Sequence, residues 1–429
     1  MATSPANGGD ASQSTRLWHP FANMANVVGH EFVVDRADGV WLWDNDGARC
    51  LDATGSLWYS NIGHGRAEVA KAVHDQLLEL DVYNIFNDYA NQPALELAGR
   101  LSDLAPVSDA RVFLTAGGGD GIETAAKLAR RYWALRGRPQ KSHLIGRRSA
   151  FHGTHGFGTA IGGIDANRED VGPLVGRVSQ VAYDSLDALS QEIERLGADE
   201  VAAVFVEPVI GAGGVLHPPE GYIEGVARLC TEHQVLLVLD EVICAFGRLG
   251  HWFAAERFGI EPDMIVFAKG VTSGYQPLGG VIVSGQIAEP FWTGEGAFFR
   301  SGQTYSGHPT CCAAAMANLD IIEREGLLAR SRALEVTLAQ ALEPLVEHPL
   351  VATVRAGLGL MAAVELSGDA LAEGLTVPSV FADVRRAGVL VRPLGSSLGI
   401  SPPLVVTEEE IDLIPEAIVG ALDRARQTI

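Results

Sequence analysis

Between residues 111 and 284, short apolar runs alternate with amphipathic helical stretches, and that alternation leaves few architectures open. The clearest runs are 111–115, 142–146, 201–206, 235–240, 263–268 and 279–284. Most are apolar throughout rather than at every second position, which marks a strand covered on both faces. Strands of this kind separated by helices form a mostly parallel, doubly wound α/β sheet. Open sheets of that type bind ligands beyond the carboxyl ends of their strands. The residues that close these runs are therefore the first candidates for chemistry.

The flanks read differently. Residues 39–51 carry Asn45-Asp46-Gly47 between apolar stretches, a hairpin signal. Residues 66–80, 91–104 and 122–134 read as helices, and 309–345 as helical with a break near Gly326. Residues 357–366 and 388–393 are strand-like, and Thr407 before three glutamates signals a final helix. At 429 residues more than one lobe is expected. We expect a large doubly wound domain over 66–308. A smaller α+β domain is built from both chain termini, with 16–65 as its N-terminal part and 309–429 as connecting helix and C-terminal part. Residues 1–15 lack the basic start and apolar stretch of a signal peptide and read as a mobile arm. No run of eighteen apolar residues predicts a membrane span, so the cytoplasm is the expected location.

The formal net charge is −21, which argues against a sequence-independent nucleic-acid binder and against an anionic membrane surface. Five cysteines, an odd number with no Cys-x-x-Cys, suggest neither a disulfide framework nor zinc, and no metal site is expected.

Two strand ends stand out. The run Val235-Leu236-Leu237-Val238-Leu239 closes on Asp240, and Met264-Ile265-Val266-Phe267-Ala268 closes on Lys269. The chain has only four lysines among its 32 basic residues, Lys71, Lys127, Lys141 and Lys269. A strand-end lysine ordinarily reaches into solvent, but small Ala268 and Gly270 leave room for a ligand here. A lysine held in a dry place loses its proton readily and becomes a nucleophilic amine. A carboxylate beside it can hold a proton on a heteroaromatic nitrogen. Pyridoxal phosphate needs both groups. A third strand runs into Thr115-Ala116-Gly117-Gly118-Gly119-Asp120-Gly121 and then a helix. Such a turn lets backbone amides meet an anion, although a ligand-free tight turn reads the same way.

Together these residues carry a resemblance. The blocks Leu239-Asp240-Glu241-Val242-Ile243-Cys244-Ala245-Phe246-Gly247-Arg248, Pro262-Asp263 and Ala268-Lys269-Gly270 resemble class III aminotransferases, which are fold type I pyridoxal-phosphate enzymes. The resemblance runs from about Trp18 to the C-terminus. It implies a catalytic Lys269 that forms the Schiff base and shuttles protons, and Asp240 as partner of the pyridinium nitrogen. It implies Val242 and Phe151 on the two faces of the ring, with Phe151 standing where many relatives have Tyr. Gly118 and Gly119 would meet the phosphate in a loop where many relatives carry serines, and Asp120 takes a usual Glu position. Thr304 would reach the phosphate of the neighbouring subunit, which implies a homodimer with shared sites.

Subgroup signals are fewer. Ala212 stands where ornithine- and GABA-type relatives carry a glutamate, which argues against those groups. Arg392 matches the mobile arginine of amine:pyruvate (ω-) aminotransferases, a bidentate partner for an acceptor carboxylate; the plainer reading is a salt bridge in the C-terminal lobe. Trp58, Phe86 and Phe21 resemble substrate-pocket walls in that subgroup, whereas bare aromatics more often fill cores. The expected activity is transfer of an amino group from an amine or ω-amino acid to a keto acid such as pyruvate. The alternatives are an aminomutase, racemase or decarboxylase on the same fold, or a non-catalytic protein.

Overall fold

The computed structural model describes residues 15–294 and 296–427. All of the expected arm except Thr15 lies outside the described residues. Three strands open the fold: β1 (Val34–Asp38), β2 (Trp41–Asp44) and β3 (Arg49–Asp52). Seven follow, interleaved with helices: β4 (Arg111–Thr115), β5 (His143–Arg147), β6 (Val178–Val181), β7 (Val201–Val206), β8 (Leu236–Asp240), β9 (Met264–Phe267) and β10 (Gly279–Val283). The last five are β11 (Val351–Arg355), β12 (Ala362–Leu366), β13 (Val389–Leu390), β14 (Arg392–Leu394) and β15 (Ser397–Ile400).

The central sheet has the order β4-β10-β9-β8-β7-β5-β6. β10 runs antiparallel to both its neighbours and the remaining pairs are parallel. Every residue of β7, β8, β9 and β10 is buried, as expected for strands covered on both faces. Burying each large aliphatic side chain stabilises the fold by about 1.5–3 kcal/mol before entropic costs.

β1-β2-β3-β13 form a second sheet and β11-β12-β15-β14 a third. β13 pairs in parallel with β3, Val389 opposite Leu51, so the two ends of the chain share one sheet. The final helix, Glu408–Arg426, starts with a reciprocal cap: Thr407 Oγ1 accepts from the Glu410 N–H at 3.2 Å and Glu410 Oε2 accepts from the Thr407 N–H at 2.9 Å. No helix among the described residues is long and apolar enough to cross a membrane.

Two departures from the sequence reading have physical causes. β1 and β6 lie at sheet edges and are rich in polar residues, so no apolar run announces them. The helix expected from 122 begins at Gly118. Its glycine-rich first turn is a poor helix former, yet it packs tightly on the sheet. A Cβ on Gly121 would stand 2.7 Å from Val266 Cγ1 and 3.1 Å from the Gly280 carbonyl oxygen. Only glycine permits that approach.

Candidate active site

β8 and β9 are parallel neighbours with Asp240 opposite Val266. Lys269 follows three residues later in a short 3₁₀ turn, Lys269–Val271. The two side chains therefore emerge at the same edge of the sheet. They line one cavity of ≈ 400 Å³ with Gly118, Gly119, Phe151, His152, Glu207 and Val242. Lys269 has φ +48°, a left-handed conformation that is strained for a residue with a side chain.

Strand alternation divides the Asp240-Glu241 pair. Asp240 faces the cavity, where Oδ2 is 2.7 Å from His152 Nδ1 and Oδ1 accepts from the Val242 N–H at 3.1 Å. Glu241 turns into the core and accepts from the amides of Ala254 and Ala255, the latter at 3.0 Å. Burial pushes its carboxyl up to about 8. Burial pushes the Lys269 amine down from its ordinary value, with Asp240 and Glu207 opposing and Arg392 adding to the fall. Among the described residues the Lys269 amine makes no hydrogen bond. Glu207 Oε1 accepts from the Phe151 N–H at 2.9 Å and Oε2 from the Gly211 N–H at 3.0 Å. Burial raises its carboxyl, with the His152 ring opposing.

The far end of the cavity is built from backbone. Ala116, Gly117, Gly118 and Gly119 line it where the helix Gly118–Leu135 begins, with free N–H groups and the positive end of the helix dipole. A Cβ on Gly118 would sit 2.8 Å from Val242 Cγ2, so a larger residue there would have to displace the valine. At the other wall the buried His152 Nε2 has no partner among the described residues. An unbonded amine, a fixed carboxylate, two apolar walls and an anion cradle fit a flat heteroaromatic aldehyde bearing a phosphate.

The structure treats the remaining expected residues unequally. Phe21 and Phe151 meet edge to face with centroids 6.2 Å apart, although Phe21 is 76% exposed. Phe86 is 45% exposed and lies against Gly302. Trp58 is only 3% exposed and packs in an apolar cluster with Val209, Leu249, Met361 and Leu394. Its neighbour Tyr59 lines the cavity instead, resting on Gly274 with its hydroxyl accepting from Ser56 Oγ at 2.8 Å. Arg392 starts β14, half-buried, and among the described residues its guanidinium has no hydrogen-bond or ion-pair partner. Burial pushes its guanidinium down from the usual value. The salt bridge weighed for it in the C-terminal lobe is therefore not formed. Thr304 lies on the surface, outside the cavity lining.

Glu207, His152 and Tyr59 escaped the sequence reading. Glu207 follows the apolar run Val201–Val206 as Asp240 ends its own, so the same strand-end signal was present. His152 and Tyr59 carried none.

Residues 23–422 match the family described as aminotransferase class-III. A putrescine–pyruvate aminotransferase of Pseudomonas aeruginosa is 36% identical over 420 residues, covering 92% of this chain and 91% of that protein. An amine transaminase from an uncultivated Pseudomonas species, solved in its PLP-bound form, superposes with a TM-score of 0.92 at 37% identity, covering 96% of this chain and 99% of that one. An (S)-enantioselective ω-transaminase from Thermomicrobium roseum gives 0.90 at 38% identity, covering 95% and 96%.

Proposed function

Since the chain belongs to the class III aminotransferases, whose cofactor is pyridoxal phosphate, we propose that it passes an amino group from an amine or ω-amino acid to pyruvate. The observation that carries this is the meeting of Lys269 and Asp240 in one cavity at adjacent strand ends, under the start of the helix Gly118–Leu135. The pyruvate preference draws on the similarity to the putrescine–pyruvate enzyme and on the unpaired Arg392.

When bound, the cofactor supplies an aldehyde that captures the amine and a cationic ring that accepts electrons from the adjacent carbon. In this reading the Lys269 amine, whose proton affinity burial lowers, would be the group that holds the cofactor. The same amine would be placed to take and return the proton beside the donor nitrogen. Asp240 holds the proton on the ring nitrogen, and His152 and the Val242 N–H fix its carboxylate. Val242 and Phe151 would flank the ring, and the amides of Gly118 and Gly119 would take the phosphate. Arg392 pairs with the keto-acid carboxylate, while Phe21 and Phe86 wall the substrate side. We assign Trp58 to support that wall from behind.

A homodimer belongs to the same reading. Thr304 sits beside exposed aromatics, with Tyr305 66% and Phe86 45% exposed, and residues 83–91 pack against 302–307. A face this apolar is suited to burial against a second copy, which would carry Thr304 to the neighbouring phosphate site. We also propose a cytoplasmic setting, consistent with five unpaired, buried cysteines.

The test is a panel of amine donors with pyruvate, following alanine. Stoichiometric alanine and ketone or aldehyde product is expected. Product without consumption of pyruvate would point to the mutase, racemase or decarboxylase alternatives. A protein that stays colourless with added cofactor would overturn the reading altogether.

A further inference from the structure

The loop read here as the phosphate cradle has no side-chain donor of its own. Ala116, Gly117, Gly118 and Gly119 carry neither hydroxyl nor charge. The Thr115 hydroxyl is committed to the Gly117 carbonyl at 3.0 Å. Asp120 sets a carboxylate in the first turn of the same helix. A helix start offers about half a positive charge, whereas a phosphate monoester carries about −1.5 to −2 near neutrality. Backbone amides beside a fixed carboxylate leave that charge under-compensated.

His155 stands at this corner. Its imidazole lies flat against Gly119, with Cε1, Nδ1 and Nε2 at 3.4, 3.5 and 3.5 Å from where a Cβ on Gly119 would be. Nδ1 is 3.7 Å from Asp120 Oδ1. The residue caps the short helix Gly156–Ile161, where its carbonyl accepts from the Thr159 N–H at 2.8 Å, but the ring makes no cap bond. Among the described residues no hydrogen bond engages either ring nitrogen. The loop bearing it touches the cradle directly, since a Cβ on Gly153 would stand 3.0 Å from the Gly119 Cα. Glu123, one turn along the helix, is already engaged with the amides of Phe157 and Gly158.

We propose that His155 is a ligand of the cofactor phosphate, supplying the side-chain donor that the glycine loop lacks. This rests on the reading of Gly118 and Gly119 as the phosphate cradle. A Cβ at 119 would meet the imidazole at 3.4–3.5 Å, ordinary van der Waals contact, so the ring lies close over the cradle. The same distances leave room for a serine there once the imidazole is removed.

The experiment is equilibrium dialysis of reconstituted holoenzymes, loaded with pyridoxal phosphate or with pyridoxal, which lacks the phosphate. His155→Ala is expected to weaken pyridoxal phosphate by about 10- to 100-fold, the range of one charge-assisted hydrogen bond, and to leave pyridoxal unchanged. His155→Gln keeps a neutral donor and should fall between, and it carries the test if the alanine variant does not fold. Adding Gly119→Ser to His155→Ala should recover most of the loss. Unchanged pyridoxal phosphate affinity, or equal weakening of both ligands, would overturn the proposal. Gly119→Asp separates the two readings by setting a carboxylate among the cradle amides. If it spares pyridoxal phosphate, the cradle itself is misread. If it weakens pyridoxal phosphate while His155→Ala does not, only the role of His155 fails.

Discussion

The central sheet has a cavity at each end of β8 and β9, and the two are similar in size but opposite in chemistry. The one at the carboxyl ends measures ≈ 400 Å³ and holds Asp240 and Lys269. The one at the amino ends measures ≈ 460 Å³ and is lined by Leu236, Leu237, Cys230, Asp263, Arg136 and Arg138. The helix Gly118–Leu135 begins at the first and ends at the second, so its dipole offers positive potential to one and negative to the other.

At the amino-end cavity the charges are satisfied. Arg138 pairs with Asp199 and bonds Gln234 at 3.2 Å, Arg136 lies 3.8 Å from Glu289, and Asp263 accepts the Leu237 N–H at 2.8 Å. At the carboxyl-end cavity Lys269 and nearby Arg392 have no such partners among the described residues, and His152 Nε2 is buried and unbonded. Cavity size does not separate the two sites. The polar groups left unfulfilled do, because burying them without a partner costs free energy that only a ligand recovers. A second lysine repeats the contrast. Burial brings Lys141 down to about 8, yet its amine donates to the Ala198 carbonyl at 2.8 Å and lies 4.5 Å from the centre of the Trp133 ring.

The comparison breaks most sharply at the lysines. Lys269→Ala should lower turnover by at least about 10³-fold, from loss of both covalent and proton-transfer roles. Borohydride reduction of the wild-type holoenzyme should tag Lys269 and leave Lys141 bare; a tag on Lys141 would erase the distinction drawn here. Next in size, Asp240→Asn should reduce turnover by about 10²- to 10³-fold, the cost of removing one preorganised charge, with an unchanged melting temperature. Near-normal turnover at full cofactor occupancy would remove Asp240 from the mechanism.

Arg392→Ala should raise the KM for pyruvate by about 10- to 100-fold, as expected for loss of a charged hydrogen-bonded pair. The KM for an uncharged apolar amine should change little, and equal effects on both would mean that Arg392 only shapes the pocket. The smallest effect is expected at the amino-end cavity, where Asp263→Asn should leave turnover within about two-fold. Burial raises the Asp263 carboxyl from 3.8 to about 6, so the folded chain keeps a proton that the unfolded chain releases. The resulting stabilisation is fully present below pH 3.8 and is lost as pH rises through about 6. It amounts to roughly 2–3 kcal/mol for a shift of this size. Urea unfolding from pH 4 to 7 should show that decline in the wild type and a flatter curve in the variant.

Legibility in the sequence followed burial. β7, β8, β9 and β10 were readable because unbroken apolar runs have one good explanation, and their closing residues were readable with them. Glu207 was missed although it closes β7 as Asp240 closes β8. The edge strands β1 and β6 were not readable, since half-exposed strands need no apolar pattern. In the pocket the adjacent aromatics Trp58 and Tyr59 could not be ranked from composition. Trp58 has φ +69° and Ser56 φ +56°, and this strained turn sends the tryptophan into the core and the tyrosine to the cavity. Asp52 holds the turn by accepting the Ser56 N–H.

Sequence alone determined the parallel core and the arrival of an acid and an amine at neighbouring strand ends, because strand burial and direction are written in local pattern. It also determined that the loop before the helix Gly118–Leu135 would offer backbone rather than side chains. Only the tertiary structure decided that His152 braces Asp240, that the Arg392 side chain stays unpaired among the described residues, and that His155 lies over Gly119. Those outcomes depend on contacts between segments far apart in the chain, where packing, and no local preference, chooses the neighbour.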